Sequence, residues 1–197
     1  MWKKAEEFLS KDKYIGPLVE KYGPCKIKPS KKKDYFIDLI DAIVSQQLSG
    51  KAARTIFERV KAGLGGEMVP ENILKTKDEY FRSWGLSRAK TVYVKDLARR
   101  VKSKELKINN LDKLSDEEVL KELVAVKGIG RWTAEMFLMF TLARPDVFPV
   151  DDLGISKGMN KLLKKTLSPD KLGQFAERWK PYRTVAAWYV WKVVDKA

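Results

Sequence analysis

The feature that most restricts how this chain can fold is the stretch Leu123-Val-Ala-Val-Lys-Gly-Ile-Gly-Arg-Trp-Thr-Ala134. Upstream, Ser115-Asp-Glu-Glu118 forms a capping-box pattern, in which the serine hydroxyl and the glutamate carboxylate satisfy each other's backbone N–H groups. Val119, Leu120, Leu123, Val124 and Val126 then supply an apolar face at helical spacing. Lys127-Gly-Ile-Gly130 interrupts that pattern, and glycines flanking one apolar residue fit a tight turn with positive φ. Trp132 to Ala143 resumes as a second apolar helix. The unit is predicted to be helix, hairpin, helix.

Such a hairpin leaves the first N–H groups and the positive dipole end of its second helix available at the turn. Gly128 and Gly130 carry no side chain to obstruct a phosphate. That arrangement can hold a nucleic-acid backbone without reading its sequence. The same spacing also suits an ordinary helical hairpin closed by a glycine turn.

Charge points to a partner and the missing residue types remove whole classes of chemistry. Lys and Arg number 40 against 26 Asp and Glu, a formal charge of +14. An excess of this kind favours a polyanion, although lysine-rich surfaces also occur in thermophilic proteins. There is no histidine, so no histidine triad, general base or metal ligand is available. The single cysteine, Cys25, cannot form an internal disulfide, a four-cysteine zinc site or an iron–sulfur cluster, and is expected to be buried filler. The start Met1-Trp-Lys-Lys-Ala-Glu-Glu is too charged for a signal peptide, and no apolar run approaches membrane length. A soluble intracellular protein is expected, with no membrane partner. Its 197 residues suit one compact domain or two intimate lobes.

Helical periodicity runs through most of the chain. Two short helices are expected before Gly23-Pro24, then a basic connector at Lys26–Lys33. Tyr35, Phe36, Leu39, Ile40, Ile43 and Val44 make one apolar stripe, and Ala52, Ala53, Ile56, Phe57 and Val60 another. Between them lies the polar interruption Ser45-Gln-Gln-Leu-Ser-Gly50, with glutamines that face solvent or bond loop backbone. Ala89 to Lys102 shows Val92, Tyr93, Leu97, Ala98 and Val101 on one face, its Arg and Lys residues forming the wet side. Leu106 to Leu114 is a connector. After Arg144-Pro145 the chain crosses in extended form to Asp151-Asp152, where a helix begins that ends near Leu163. Ser168-Pro169 starts the next, and Pro181 precedes the last, which ends near Asp195. The fold class is all-α. By themselves, Asp151 and Asp152 read as helix caps.

Four segments in order carry a resemblance: Ile43-Val-Ser-Gln-Gln-Leu-Ser49, Val126-Lys-Gly-Ile-Gly-Arg-Trp-Thr-Ala134, Val147-Phe-Pro-Val-Asp-Asp152 and Arg178-Trp-Lys-Pro-Tyr-Arg-Thr-Val-Ala-Ala-Trp-Tyr-Val-Trp191. Together they resemble the helix-hairpin-helix DNA glycosylase superfamily, and Trp132 points to its alkylpurine branch, the 3-methyladenine DNA glycosylase II family. The resemblance implies two helical lobes around a DNA-binding cleft, one spanning 35–143 and the other joining 1–34 to 144–197. It implies a short form without the N-terminal β-domain of larger relatives.

The resemblance also assigns roles. Asp152 corresponds to the catalytic aspartate, and Trp132, Met136 and Trp191 to the base pocket. Met136 stands where the best-known relatives have tyrosine, so a stacking face is replaced by a softer thioether. Gln47, Leu48 and Ser49 belong to the segment that enters the minor groove, with Gln47 or Leu48 filling the gap left by an extruded base. Lys127, Gly128, Gly130 and Thr133 belong to the DNA-binding hairpin. Backbone carbonyls at Val124, Val126 and Ile129 match positions that hold a structural monovalent cation, with no other cofactor required. Bifunctional branches carry a lysine where this chain has Trp132, which implies a monofunctional enzyme. Its expected partner is damaged duplex DNA, and a monomer is expected. The alternatives are a non-catalytic DNA-binding protein and a glycosylase with lyase activity through Lys127.

Overall fold

The computed structural model describes residues 1–30 and 34–194. Residues 31–33 of the basic connector and Asp195, the expected end of the last helix, lie outside the described residues. In chain order the α-helices are α1 Lys3–Leu9, α2 Gly16–Tyr22, α3 Tyr35–Ser45, α4 Gly50–Gly63, α5 Pro70–Lys75 and α6 Asp78–Ser83. They continue with α7 Arg88–Lys102, α8 Asp116–Val124, α9 Arg131–Met136, α10 Leu153–Leu163, α11 Pro169–Ala176 and α12 Arg183–Lys192. No strand occurs among the described residues, and none of their helices is long and apolar enough to cross a membrane.

The chain divides into two units, Lys32–Phe137 and Met1–Lys31 with Leu138–Ala197. The first is built on α7, which packs against α3, α5 and α6, while α3 packs on α4 and α8 on α9. Asp34 caps α3 by accepting the Ile37 N–H, and every residue of the α3 apolar stripe is buried. Each such side chain contributes about 1.5–3 kcal/mol relative to exposure. The second unit is built on α12, which packs against α1, α2 and α10. Residues Thr184 to Val190 are all buried, so this helix is enclosed on every side rather than amphipathic. At Gly158 of α10 an added Cβ would strike Val190, so the glycine lets α10 and α12 approach closely.

Several local expectations are corrected. On α8, Val119 and Leu123 are buried, but Val124 is exposed because the helix ends there and its side chain points away from the packed face. On α7 the buried face is Thr91, Val94, Leu97 and Ala98 with Asp96, leaving Val92 exposed. The face is rotated because the helix sits between three neighbours and buries a carboxylate. The second hairpin helix is not continuous to Ala143. Regular α-geometry stops at Met136, a π turn spans Phe137–Thr141, and Ala143 adopts a left-handed φ of 52°. The Arg144 N–H then reaches back to the Leu138 carbonyl at 2.9 Å, a Schellman-type closure before Pro145. The 106–114 connector contains a 3-10 helix, Ile108–Lys113.

Candidate active site

In the unit formed by Lys32–Phe137, the capping box is complete, with Ser115 N–H donating to Glu118 at 2.8 Å and Glu118 N–H to Ser115 Oγ at 3.3 Å. The hairpin follows. Only Gly128 takes a positive φ, 80°, and an added Cβ there would drive into the Tyr93 ring of α7. Gly130 does not share the positive φ expected of it. It is extended (φ −89°) as the N-cap of α9, with open space where a Cβ would stand. The two glycines therefore do different jobs, one permitting close packing and the other leaving the turn accessible. Lys127 is exposed, and its backbone N–H donates to Asp96 at 2.9 Å. Thr133 is buried, and so are Val126 and Ile129. The Val126 carbonyl accepts the Ile129 N–H at 3.1 Å.

The interruption after α3 is a tight turn. Gln46 has φ −50°, ψ 130°, Gln47 has φ 58°, and the Leu48 N–H donates to the Ser45 carbonyl at 3.2 Å. These are the dihedrals of a type II turn, whose third position favours glycine. Gln47 occupies it instead, at a cost of about 1–2 kcal/mol. Gln47, Leu48 and Ser49 are exposed. Gln46, by contrast, reaches the hairpin: its side-chain amide donates to the Gly128 carbonyl at 2.8 Å. This turn and the hairpin wall a cavity of about 630 Å³, lined by Gln47, Leu48, Gly128, Trp132, Thr133 and Met136 among others. That is a volume typical of small-ligand sites. A second open cavity in this unit, beside Trp84 and Tyr80, includes none of the predicted site residues.

Helix α7 supports both walls, which the sequence pattern did not reveal. Lys90, read as part of its wet side, instead donates from Nζ to the Val44 carbonyl at 2.8 Å and the Gln46 carbonyl at 2.6 Å. Burial pushes its ammonium below the ordinary lysine pKa. Asp96 accepts from the Lys127 N–H, from Arg100 at 3.0 Å and from Arg99 at 3.2 Å. Its burial alone would raise the carboxyl pKa. The hydrogen bonds from Lys127, Arg100 and Arg99 outweigh burial and hold it below the usual range. A buried acid flanked by arginines at i+3 and i+4 was the one available signal.

The acid lies in the other unit. Arg183 grips Asp146 through Nε at 2.8 Å and a second N–H at 3.0 Å, and Thr184 Oγ1 accepts the Val147 N–H at 2.9 Å. These contacts stitch the extended crossing to the start of α12. A turn, with the Asp152 N–H on the Pro149 carbonyl at 3.1 Å, then delivers Asp152 to the start of α10. Asp152 is its N-cap and accepts the Ile155 N–H at 2.8 Å. The same carboxylate oxygen accepts the Trp191 indole N–H at 2.8 Å. Trp191 also lies against Phe140, ring centroids 5.8 Å apart. Asp152 is half-buried and Asp151 exposed. An added Cβ at Gly154 would come within 2.8 Å of the Trp191 ring and 3.0 Å of Asp152 Oδ1, so glycine is what lets acid and indole meet. Gly154 and Phe140 were not foreseen. Cys25 is half-buried, and burial pushes its thiol up to about 11, so it is inert at neutral pH.

A model of the family described as HhH-GPD superfamily base excision DNA repair protein matches residues 40–182. The chain belongs to this superfamily. It is 39% identical to DNA-3-methyladenine glycosylase 1 of Schizosaccharomyces pombe, over 91% of this chain and 80% of that protein. It is 33% identical to DNA-3-methyladenine glycosylase of Saccharomyces cerevisiae, over 96% of this chain and 78% of that one. Among solved structures, the S. pombe 3-methyladenine DNA glycosylase in complex with abasic DNA superposes with a TM-score of 0.83 at 38% identity, covering 98% of both chains. A DNA-3-methyladenine glycosidase from Bacillus halodurans superposes at 0.87 with 34% identity, over 98% of this chain and 89% of that chain.

Proposed function

We propose that this chain is a monofunctional DNA glycosylase that hydrolyses the N-glycosidic bond of alkylated purines in duplex DNA, leaving an abasic site for base excision repair. DNA is its partner, and it acts as a monomer wherever chromosomal DNA is housed. The observation that carries the reading is the half-buried Asp152 carboxylate, fixed by a helix N-terminus and an indole N–H.

A purine alkylated at N3 or N7 carries positive charge. As the C1′–N bond breaks, its electron pair returns to the ring and the base departs neutral, so protonation of the leaving group matters little. The developing charge is on the sugar. Asp152 stabilises that oxocarbenium-like centre and orients the water whose oxygen bonds to C1′, the water's proton passing to the carboxylate or to solvent. By the family resemblance, Trp132, Met136 and Trp191 are the residues that would meet the extruded cationic base, an indole face offering about 0.5–2 kcal/mol per good cation–π contact and the Met136 thioether an adaptable surface. Gln47 or Leu48 takes the vacated place in the stack, Ser49 accompanies them in the minor groove, and Lys127, Gly128, Gly130 and Thr133 form the hairpin that meets phosphate.

The donor set at the hairpin also fits a monovalent cation. Val124 closes α8, whose C-terminal carbonyls carry partial negative charge, and a carbonyl such as that of Val126 has a second lone pair beyond its bond to Ile129. Carbonyls of Val124, Val126 and Ile129 would hold the ion, which would supply positive charge for binding DNA and take no chemical part.

Methylated duplex provides the test. Wild-type protein should release 3-methyladenine or 7-methylguanine and leave the strand intact until alkali is added. Protein that binds the duplex and releases no base would refute the enzymatic reading. Covalent trapping by borohydride would instead establish a lyase using an amine such as that of Lys127.

A further inference from the structure

Resting on the glycosylase reading, we propose that Lys90 is a positioning residue for base extrusion. Its ammonium holds the Ser45–Leu48 turn in its base-displacing form before DNA arrives, and Gln46 ties that turn to the hairpin. The starting observation is a cost: Gln47 sits at φ 58°, where a side chain is disfavoured, at the tip of an exposed turn. An exposed turn would relax unless it were held. Lys90 holds it just before its entry and at its second residue. Lys90 Nζ donates to the Val44 carbonyl in the last turn of α3 and to the Gln46 carbonyl inside the tight turn. A cation at a helix C-terminus is also favoured by the dipole.

The second tie runs from the Gln46 side chain to the Gly128 carbonyl, so the displacing turn and the phosphate-facing hairpin are registered against each other. The hairpin is fixed in turn by Asp96, which accepts the Lys127 N–H, and by the Tyr93 ring packed under Gly128. Lys90, Tyr93 and Asp96 all belong to α7, so one helix sets the positions of both DNA-contacting loops. Pre-setting the turn removes an ordering step when Gln47 or Leu48 enters the stack. The benefit applies to extrusion and not to hydrolysis of a base already outside the helix.

That distinction supplies the test. Single-turnover excision is measured on 7-methylguanine paired with cytosine and on the same lesion opposite an abasic-site analogue, where extrusion costs less. Lys90→Met should slow the paired substrate about tenfold or more and the unpaired one about threefold or less. Lys90→Arg, which keeps a cation with several donors, should return the paired rate to within about threefold of wild type. Gln46→Leu should show the same paired-over-unpaired split, and it decides the matter if Lys90→Met does not fold. Equal losses on both substrates, or Lys90→Arg no better than Lys90→Met, overturn the proposal. If wild type releases no base from either substrate, the glycosylase reading fails by itself. The positioning role is then read from 2-aminopurine fluorescence in bound duplex. A rise with wild type that Lys90→Met abolishes without loss of binding supports it, and an unchanged rise overturns it.

Discussion

Replacing Asp152 by asparagine separates what its carboxylate does for the fold from what it does for the reaction. The side chain accepts two hydrogen bonds through Oδ1, from the Ile155 N–H and from the Trp191 indole, each 2.8 Å. An asparagine amide keeps an oxygen acceptor there, and asparagine is as good an N-cap as aspartate. What it loses is negative charge: about 0.3–1 kcal/mol of interaction with the α10 dipole, and about 1 kcal/mol as a charge-assisted bond to Trp191 becomes neutral. Stability should therefore fall by about 1–2 kcal/mol at most, a melting shift of about 2–8 °C in a chain of this length. The chemical step loses its charge stabiliser and base together, about 10²–10⁴-fold in rate, or roughly 3–5 kcal/mol of barrier. Single-turnover release of 7-methylguanine, beside thermal melting and duplex binding of the same protein, reads all three quantities. An Asp152→Asn protein excising within about fivefold of wild type would place the essential acid elsewhere and sink the mechanism.

Other substitutions probe the supports. Gly154→Ala should cut excision more than it lowers the melting temperature, because the new methyl pushes against the Trp191 ring and Asp152 Oδ1, whose contact adds only about 1 kcal/mol to the fold while the reaction depends on where the acid points. Unchanged turnover would show that their contact is dispensable. Gly128→Ala combines a positive φ with a clash against Tyr93, so both stability, by about 1 kcal/mol or more, and duplex affinity should fall together in melting and binding titrations. Asp96 has its carboxyl pKa lowered in the fold. Its contribution is thus present above the unfolded value near 3.9 and lost as pH falls through the lower folded one. Wild type should lose stability on acidification below about pH 4 more steeply than Asp96→Asn, and parallel denaturation curves from pH 6 to 2 would refute this.

Much of the fold was legible along the chain because it is local. Ser115 with Glu118, Ser168 with Pro169, and Asp152 all cap the helices they precede, since a cap and its N–H partners lie within three residues. The α3 stripe was equally plain, because one face of one helix meets one core. The α7 face was misread, with Val92 exposed and Val94 buried, because three neighbouring helices rather than periodicity decide which side is covered.

By itself, the sequence determined that the chain is helical, that a glycine hairpin follows a capped helix, and that an acid begins a helix after an extended crossing. Each depends on backbone geometry and hydrogen bonds spanning a few residues. Tertiary structure decided what those pieces touch: Lys90 on the carbonyls of Val44 and Gln46, Gln46 on Gly128, Asp96 beneath Lys127, and Trp191 on Asp152. Those pairs are separated by tens of residues, and lysine, glutamine and tryptophan each have many satisfactory surroundings in water or core. Which one they take is settled only when packed helices bring particular donors within hydrogen-bonding reach of particular acceptors and exclude the water that would otherwise serve.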